Sequence, residues 1–174
     1  MSDLFDKVSG QMDVFKQLAS KIPGFDGYVE RQNRRAADKL LRESVAARFE
    51  ELWTRTSELQ TSMVGEGMIA VMDEMEQAAI KLRTFADKIK TASYGYAGFF
   101  DAVKIKEEEL AQLYQFDLAF FETAEQIESA LTNVEASMGN EDGLKTAIRH
   151  LITLAREAVT TFERRYEMIN GGGQ

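Results

Sequence analysis

Residues 99–138 read FFDAVKIKEEELAQLYQFDLAFFETAEQIESALTNVEASM, and this stretch decides the fold. In alternating steps of four and three it gives an apolar seam over its whole length, interrupted only by Lys106 and Asp117. The spacing predicts one helix over 99–138, about 60 Å long at about 1.5 Å per residue. Because a helix with a single apolar seam is not stable alone in water, other helices must cover it.

The rest of the chain supplies those helices. Apolar residues recur at helical spacing in four more segments, which predict helices over 2–22, 27–62, 68–92 and 143–169. No segment shows the alternation that is typical of strands. The sequence therefore predicts an all-α fold, an elongated antiparallel four-helix bundle with coiled-coil-like seams and an additional N-terminal amphipathic helix.

The length of the chain and the positions of its glycine-rich stretches indicate the domain organisation. The chain has 174 residues, which favours one domain, and its glycine-rich stretches lie between the predicted helices. We expect residues 1–170 to form a single helical-bundle domain and residues 171–174 to form a flexible tail.

Composition excludes several classes of function. The chain contains no cysteine, which excludes disulfides, thiolate metal sites and cysteine catalysis. Its net charge of −8 argues against nucleic-acid binding, because the phosphate backbone would be repelled. The N-terminus lacks the apolar run of a secretory signal, and no window is apolar enough to span a membrane. We therefore expect a cytoplasmic protein.

No arrangement of residues in the sequence points to catalysis. A carboxylate di-metal bundle needs Glu-x-x-His on two helices, but the one histidine, His150, follows Ala147 at that spacing. Serine nucleophile elbows, phosphate-binding loops and dinucleotide fingerprints are also absent. The sequence therefore predicts no enzyme, no cofactor and no metal site, and we interpret His150 as a surface residue.

Asp117 is the first candidate for a special role. Its neighbours three and four positions away are Leu113, Tyr114, Phe120 and Phe121, so it lies on the seam and we expect it to be buried. A buried, unpaired carboxylate is costly, so Asp117 needs an arginine or lysine, a tyrosine hydroxyl or a bound ligand. Two interpretations stay open: a polar switch that fixes the bundle register, or a group that binds a small molecule or metal.

A basic stripe on the second predicted helix is the second candidate. It consists of Arg31, Arg34, Arg35, Lys39 and Arg42. One interpretation is a docking surface for phosphates, anionic lipid or an acidic protein. The other is internal charge matching, because residues 101–128 contain eight acidic residues and only two lysines.

The N-terminal helix offers a third candidate, a membrane or partner face. Its apolar side consists of Phe5, Val8, Met12, Phe15 and Leu18. Such a face can insert into a membrane surface or pack on protein. Asp3, Asp6 and Asp13 cancel the charge of the neighbouring lysines, which weakens attraction to anionic lipid.

Two blocks of sequence resemble segments of uncharacterised bacterial all-helical proteins. They read IPGFDGYVERQNRRAADKLLRE at 22–43 and YGYAGFFDAVKIKEEELAQLYQFDLAFFE at 94–122. The resemblance implies a bacterial, helical protein and carries no catalytic residue over to this chain.

These observations favour a non-enzymatic helical-bundle protein that acts in protein–protein interaction or self-assembly. One alternative is a peripheral membrane or lipid-binding protein that uses the N-terminal amphipathic helix. The other is a small-molecule- or metal-binding bundle built around Asp117.

Overall fold

The computed structural model describes residues 2–92 and 98–171, with side chains from residue 6 onward. These residues form five helices: α1 (Ser2–Lys21), α2 (Arg34–Gly65), α3 (Met72–Thr91), α4 (Glu107–Ala136) and α5 (Glu141–Gly171). Short 3-10 turns at Arg31–Asn33 and Ile69–Val71 lead into α2 and α3. The described residues contain no strand, and the predicted all-α bundle is confirmed.

The bundle consists of two antiparallel hairpins. In the first, α2 packs on α3, with Gln60 bonded to Glu76 at one end and Arg42 bonded to the Lys90 carbonyl at the other. In the second, α4 packs on α5. The ion pairs of α2 with α4 advance together along both helices, so α2 and α4 run side by side in the same direction. These pairs are Arg48–Glu128 and Arg55–Glu135.

This arrangement places the starts of α2 and α4 and the ends of α3 and α5 at one end of the bundle, which we call the proximal end. Two non-helical segments, 22–30 and 98–106, lie there. Their large apolar side chains are buried and close the core: Ile22, Phe25, Tyr28, Phe99, Phe100 and Ile105. α1 packs on the outer side of α4.

The prediction that the fourth helix begins at Phe99 is wrong. Residues 98–103 form turns and bends, and α4 begins only at Glu107, so it is about 45 Å long at 1.5 Å per residue. Val103, on the predicted seam, is 85% exposed. The first turn of α4 carries three glutamates, whose charges favour the positive end of a helix dipole.

The prediction that the second helix begins at residue 27 is also wrong. α2 begins only at Arg34, after bends at 28–30 and the 3-10 turn. Gly24 and Gly27 hold φ angles of +82° and +78°, which lie outside the α-helical region, so the predicted helix does not start at Gly27. The other helix ends lie within four residues of the predicted ones. Residues 172–174 of the predicted tail lie outside the described residues. No helix in the described part of the chain has both the length and the apolar character needed to cross a bilayer.

Gly27 is a position where an added methyl group has no room. A Cβ there would lie 2.5 Å from the Tyr114 hydroxyl oxygen and 2.9 Å from the Phe15 ring, whereas a Cβ on Gly24 would meet its nearest neighbour at 4.0 Å. We expect Gly27→Ala to lower the free energy of unfolding by about 3 kcal/mol and Gly24→Ala by about 1 kcal/mol, the cost of positive φ alone. Urea denaturation of both variants measures the difference, and equal losses would contradict the close contact.

Candidate functional site

Asp117 lies at the proximal end, and its side chain is fully buried, as its position on the seam predicts. One carboxylate oxygen accepts a 2.6 Å hydrogen bond from the Tyr28 hydroxyl. The other accepts a 2.7 Å bond from Nε of Arg165 on α5. Asp117 therefore has two of the three kinds of partner that the sequence allows, a facing arginine and a tyrosine.

Arg165 extends these contacts into a larger cluster. Its Nη2 donates a 2.7 Å bond to one carboxylate oxygen of Asp38 on α2, and the other oxygen accepts a 2.8 Å bond from Nε of Arg42. We call Asp38, Arg42, Asp117 and Arg165, together with Tyr28, the buried charge network. Its two carboxylates and two guanidinium groups balance in charge, which reduces the cost of burying each ion.

The buried charge network joins all four helices of the bundle. Arg42 also donates through Nη1 to the carbonyls of Ile89 and Lys90, at 3.3 and 3.1 Å, near the end of α3. Helix C-termini carry carbonyls without intrahelical partners, and a cation there is favourable. The network therefore fixes α2, α3, α4 and α5 relative to one another at the proximal end.

Arg34 connects the two non-helical segments to this network. Its Nε donates to the Tyr28 carbonyl at 2.8 Å, and its Nη1 donates to the Ala102 carbonyl at 2.7 Å. The Tyr28 amide in turn donates a 3.0 Å bond to the Tyr114 hydroxyl. These bonds hold Tyr28 in place, so its hydroxyl points at Asp117.

Burial dominates the electrostatics of the buried charge network. It raises the pKa of Asp117 to about 6, while the positive charge of Arg165 and the hydrogen bond from Tyr28 limit the rise. Burial and the charge of Asp117 also raise the pKa of Tyr28 well above its ordinary value. Every buried side-chain polar atom among the described residues has a partner. The arrangement is suited to holding helices in register.

Nothing in the described part of the chain favours a metal at Asp117. Both oxygens of Asp117 and both oxygens of Asp38 accept bonds from protein groups. No group of three histidine, cysteine, aspartate or glutamate side chains comes together there in a way that could hold a metal ion. The contact between Asp117 and Arg165 was not predicted from the sequence, although Arg165 occupies a seam position on the fifth helix. The participation of Asp38 was not predicted either.

The predicted basic stripe is divided by the fold. Arg34 and Arg42 turn inward, as described above. Arg35 binds the carboxylate of Asp101 with two bonds of 3.0 and 2.6 Å, and Nζ of Lys39 lies 4.0 Å from Glu43. Arg31 is exposed. The five residues do not share one free face, and a docking role for the stripe stays a prediction.

The predicted apolar face of α1 is divided as well. Leu18 is fully buried, and Phe15 is half-buried, with its ring centre 5.9 Å from that of Tyr114. Val8 and Met12 are exposed. The Phe5 side chain lies outside the described residues. The last two turns of α1 therefore pack on the bundle, and the middle of α1 presents Val8 and Met12 to solvent.

These exposed side chains line a hollow of about 230 Å³ between α1, the segment 22–30 and the start of α4, which we call the α1 groove. Its lining residues are Val8, Gln11, Met12, Phe15, Asp26, Val29, Leu110 and Tyr114. A second hollow of about 510 Å³ lies between the first half of α1 and α4 and shares Val8 and Gln11 with the groove. Sequence reasoning missed Val29, because this residue falls within the predicted second helix, whereas it lies in the non-helical segment 22–30.

His150 is exposed, as expected, and lines an open polar hollow between α4 and α5 with Glu122, Glu125 and Asn133. Lys21 donates a 2.8 Å bond to Glu125, so this acid takes part in attaching α1.

The chain matches no protein-family model, no curated protein and no solved structure. The buried charge network and the α1 groove are thus the two features from which a function can be inferred.

Proposed function

We propose that this protein is a non-enzymatic interaction module that binds a partner protein at the α1 groove. One observation carries the proposal. Among the side chains that the structure describes, eight large apolar ones are exposed, and three of them, Val8, Met12 and Val29, line this one groove. Contiguous exposed apolar surface is typical of binding sites, whereas single exposed apolar residues are ordinary.

The surroundings of the groove support this proposal. Tyr114 lies in the groove wall and accepts a bond from the Tyr28 amide, and the Tyr28 side chain bonds to Asp117. The groove is thereby attached to the buried charge network. A binding surface on a rigid support loses less conformational entropy when it engages a partner. The proposal includes a cytoplasmic location and a bacterial source.

Site-specific photo-crosslinking tests the proposal. We would place a benzophenone amino acid at Met12, and at Val64 as the control, because these side chains are 55% and 54% exposed and Val64 lies away from the groove, on α2. The expected result is a protein adduct in living cells from position 12 and none from position 64. Adducts from both positions, or from neither, would contradict the proposal.

The same experiment distinguishes self-assembly and membrane binding from binding to a different protein. A crosslink to a second copy of this chain, with concentration-dependent sedimentation that Met12→Ser abolishes, would identify self-assembly as the form that the interaction takes. A crosslink to lipid without a protein adduct would replace the proposal with the peripheral-membrane alternative.

A further inference from the structure

We propose that the occupant of the α1 groove is a basic amphipathic helix of a partner protein. This inference rests on the proposed function and adds the chemistry of the partner. Three observations carry it: the charge around the groove, the nature of its walls and the spacing of its apolar side chains.

The charge around the groove is negative. The two hollows beside the first half of α1 are lined by four carboxylates and one basic residue, Lys7. The carboxylates, all exposed, are Asp6, Asp26, Glu107 and Glu108. Complementary charge steers association and excludes partners of the same sign. Lysine or arginine side chains beside the apolar contacts are therefore favoured.

The walls favour a helix over an extended segment. They are formed mainly by α1 and α4, whose backbone groups are bonded within each helix. An extended peptide would bring backbone donors and acceptors into an apolar groove that offers them few partners. A helix satisfies its own backbone and can place an apolar stripe against the groove.

The apolar side chains have the spacing that a helix can use. Val8 and Met12 are one turn apart on α1, and Val29 lies on the segment that borders the same groove. Methionine adapts its shape to a partner more readily than branched residues do. An incoming stripe of residues at i, i+4 and i+7 could contact Val8 and Met12 together.

The same charges disfavour two other occupants. A second copy of this chain carries a net charge of −8, so two copies repel each other over long range. An anionic membrane surface would be repelled by Asp6, Glu107 and Glu108 beside α1. A cationic partner helix is the occupant that meets both the apolar and the acidic parts of the surface.

The test uses a fluorescent synthetic helix of leucine and lysine, about five turns long, with leucine along one face. One control peptide has the same composition in scrambled order, and another has glutamate in place of lysine. We would titrate the full chain into each peptide and follow anisotropy at low and high salt. We expect the leucine–lysine helix to bind and the two controls to bind at least about tenfold more weakly. Salt should weaken binding of the leucine–lysine helix.

Matched variants locate the binding. Val8→Ser with Met12→Ser removes apolar contacts, and Glu107→Gln with Glu108→Gln removes charge; each pair should weaken binding about tenfold. The control Val64→Ser, and the control pair Glu163→Gln with Glu167→Gln on α5, alter exposed residues that line neither hollow, so peptide binding should stay unchanged. Circular dichroism checks that each variant is folded.

The inference fails if the scrambled or acidic peptide binds as well as the leucine–lysine helix, or if the control variants weaken binding equally. This failure is distinct from failure of the proposed function. A protein adduct at position 12 whose crosslinked segment is acidic or extended would leave the interaction module standing and overturn the basic helix. Absence of any protein adduct at position 12 would overturn the interaction module itself.

Discussion

Arg165→Met is expected to lower the free energy of unfolding by about 3–5 kcal/mol, the largest effect of any single substitution discussed for this protein. The change leaves Asp117 buried with only the Tyr28 hydroxyl as its partner, and it leaves Asp38 with only Arg42. Removing one member of a buried ion pair is costly because the remaining charge stays desolvated. Urea denaturation followed by circular dichroism measures the loss.

A neighbouring arginine provides the matched control. Arg164 is exposed on the same helix, so Arg164→Met should change stability by no more than about 0.5 kcal/mol. Adding Asp117→Leu to Arg165→Met removes the stranded carboxylate and should restore most of the loss, so the two substitutions will not be additive. If Arg165→Met costs no more than Arg164→Met, the buried charge network does not stabilise the bundle.

The pH dependence of stability is the second large effect. Burial raises the pKa of Asp117 to about 6, whereas the ordinary value is 3.8. Between these values the folded chain binds more protons than the unfolded chain, so its stability falls as the pH rises. The contribution of Asp117 is fully present below about pH 4 and should fall by about 3 kcal/mol by about pH 6, at about 1.4 kcal/mol per pH unit.

Subtracting a variant isolates this contribution. Asp117→Asn cannot ionise, so the stability of the native chain minus that of Asp117→Asn should decrease from about pH 4 to about pH 6 and stay level above it. Asp101→Asn is a control of opposite sign, because Arg35 holds the pKa of Asp101 below its usual value. A difference that rises with pH for Asp117 would mean that Arg165 outweighs burial.

Helix positions were largely predictable from the sequence, because amphipathic spacing records which face meets the core. The start of α4 was not. Phe99 and Val103 fit the seam spacing, but Phe99 is buried in a turn and Val103 faces solvent. Two signals mark the true start: Lys106 interrupts the seam, and glutamates occupy the turn that follows. Periodicity alone cannot separate a helical seam from apolar residues that close the end of a bundle.

The site was predictable in part. Burial of Asp117 followed from its seam position, and Arg165 on another seam is the opposite charge that it needs. Their pairing depends on which helices face each other, and the sequence does not state this. Tyr28 was missed because the sequence analysis assigned it to the predicted second helix, whereas it lies in a non-helical segment that reaches Asp117. The α1 groove was predicted in part, because Val8, Met12 and Phe15 belong to the predicted partner face. Asp26 and Val29 were missed because they reach the groove from a non-helical segment.

The order in which the helices leave the ribosome determines when the buried charge network can form. Tyr28 and Asp38 precede Asp117 by 89 and 79 residues, and Arg165 follows Asp117 by 48. The α2–α3 hairpin can close on its own local contacts soon after synthesis, but Asp38 then lacks Arg165. Nascent chains therefore hold Asp38 and Asp117 without Arg165 until α5 emerges, so the network is completed only after the fifth helix has been made.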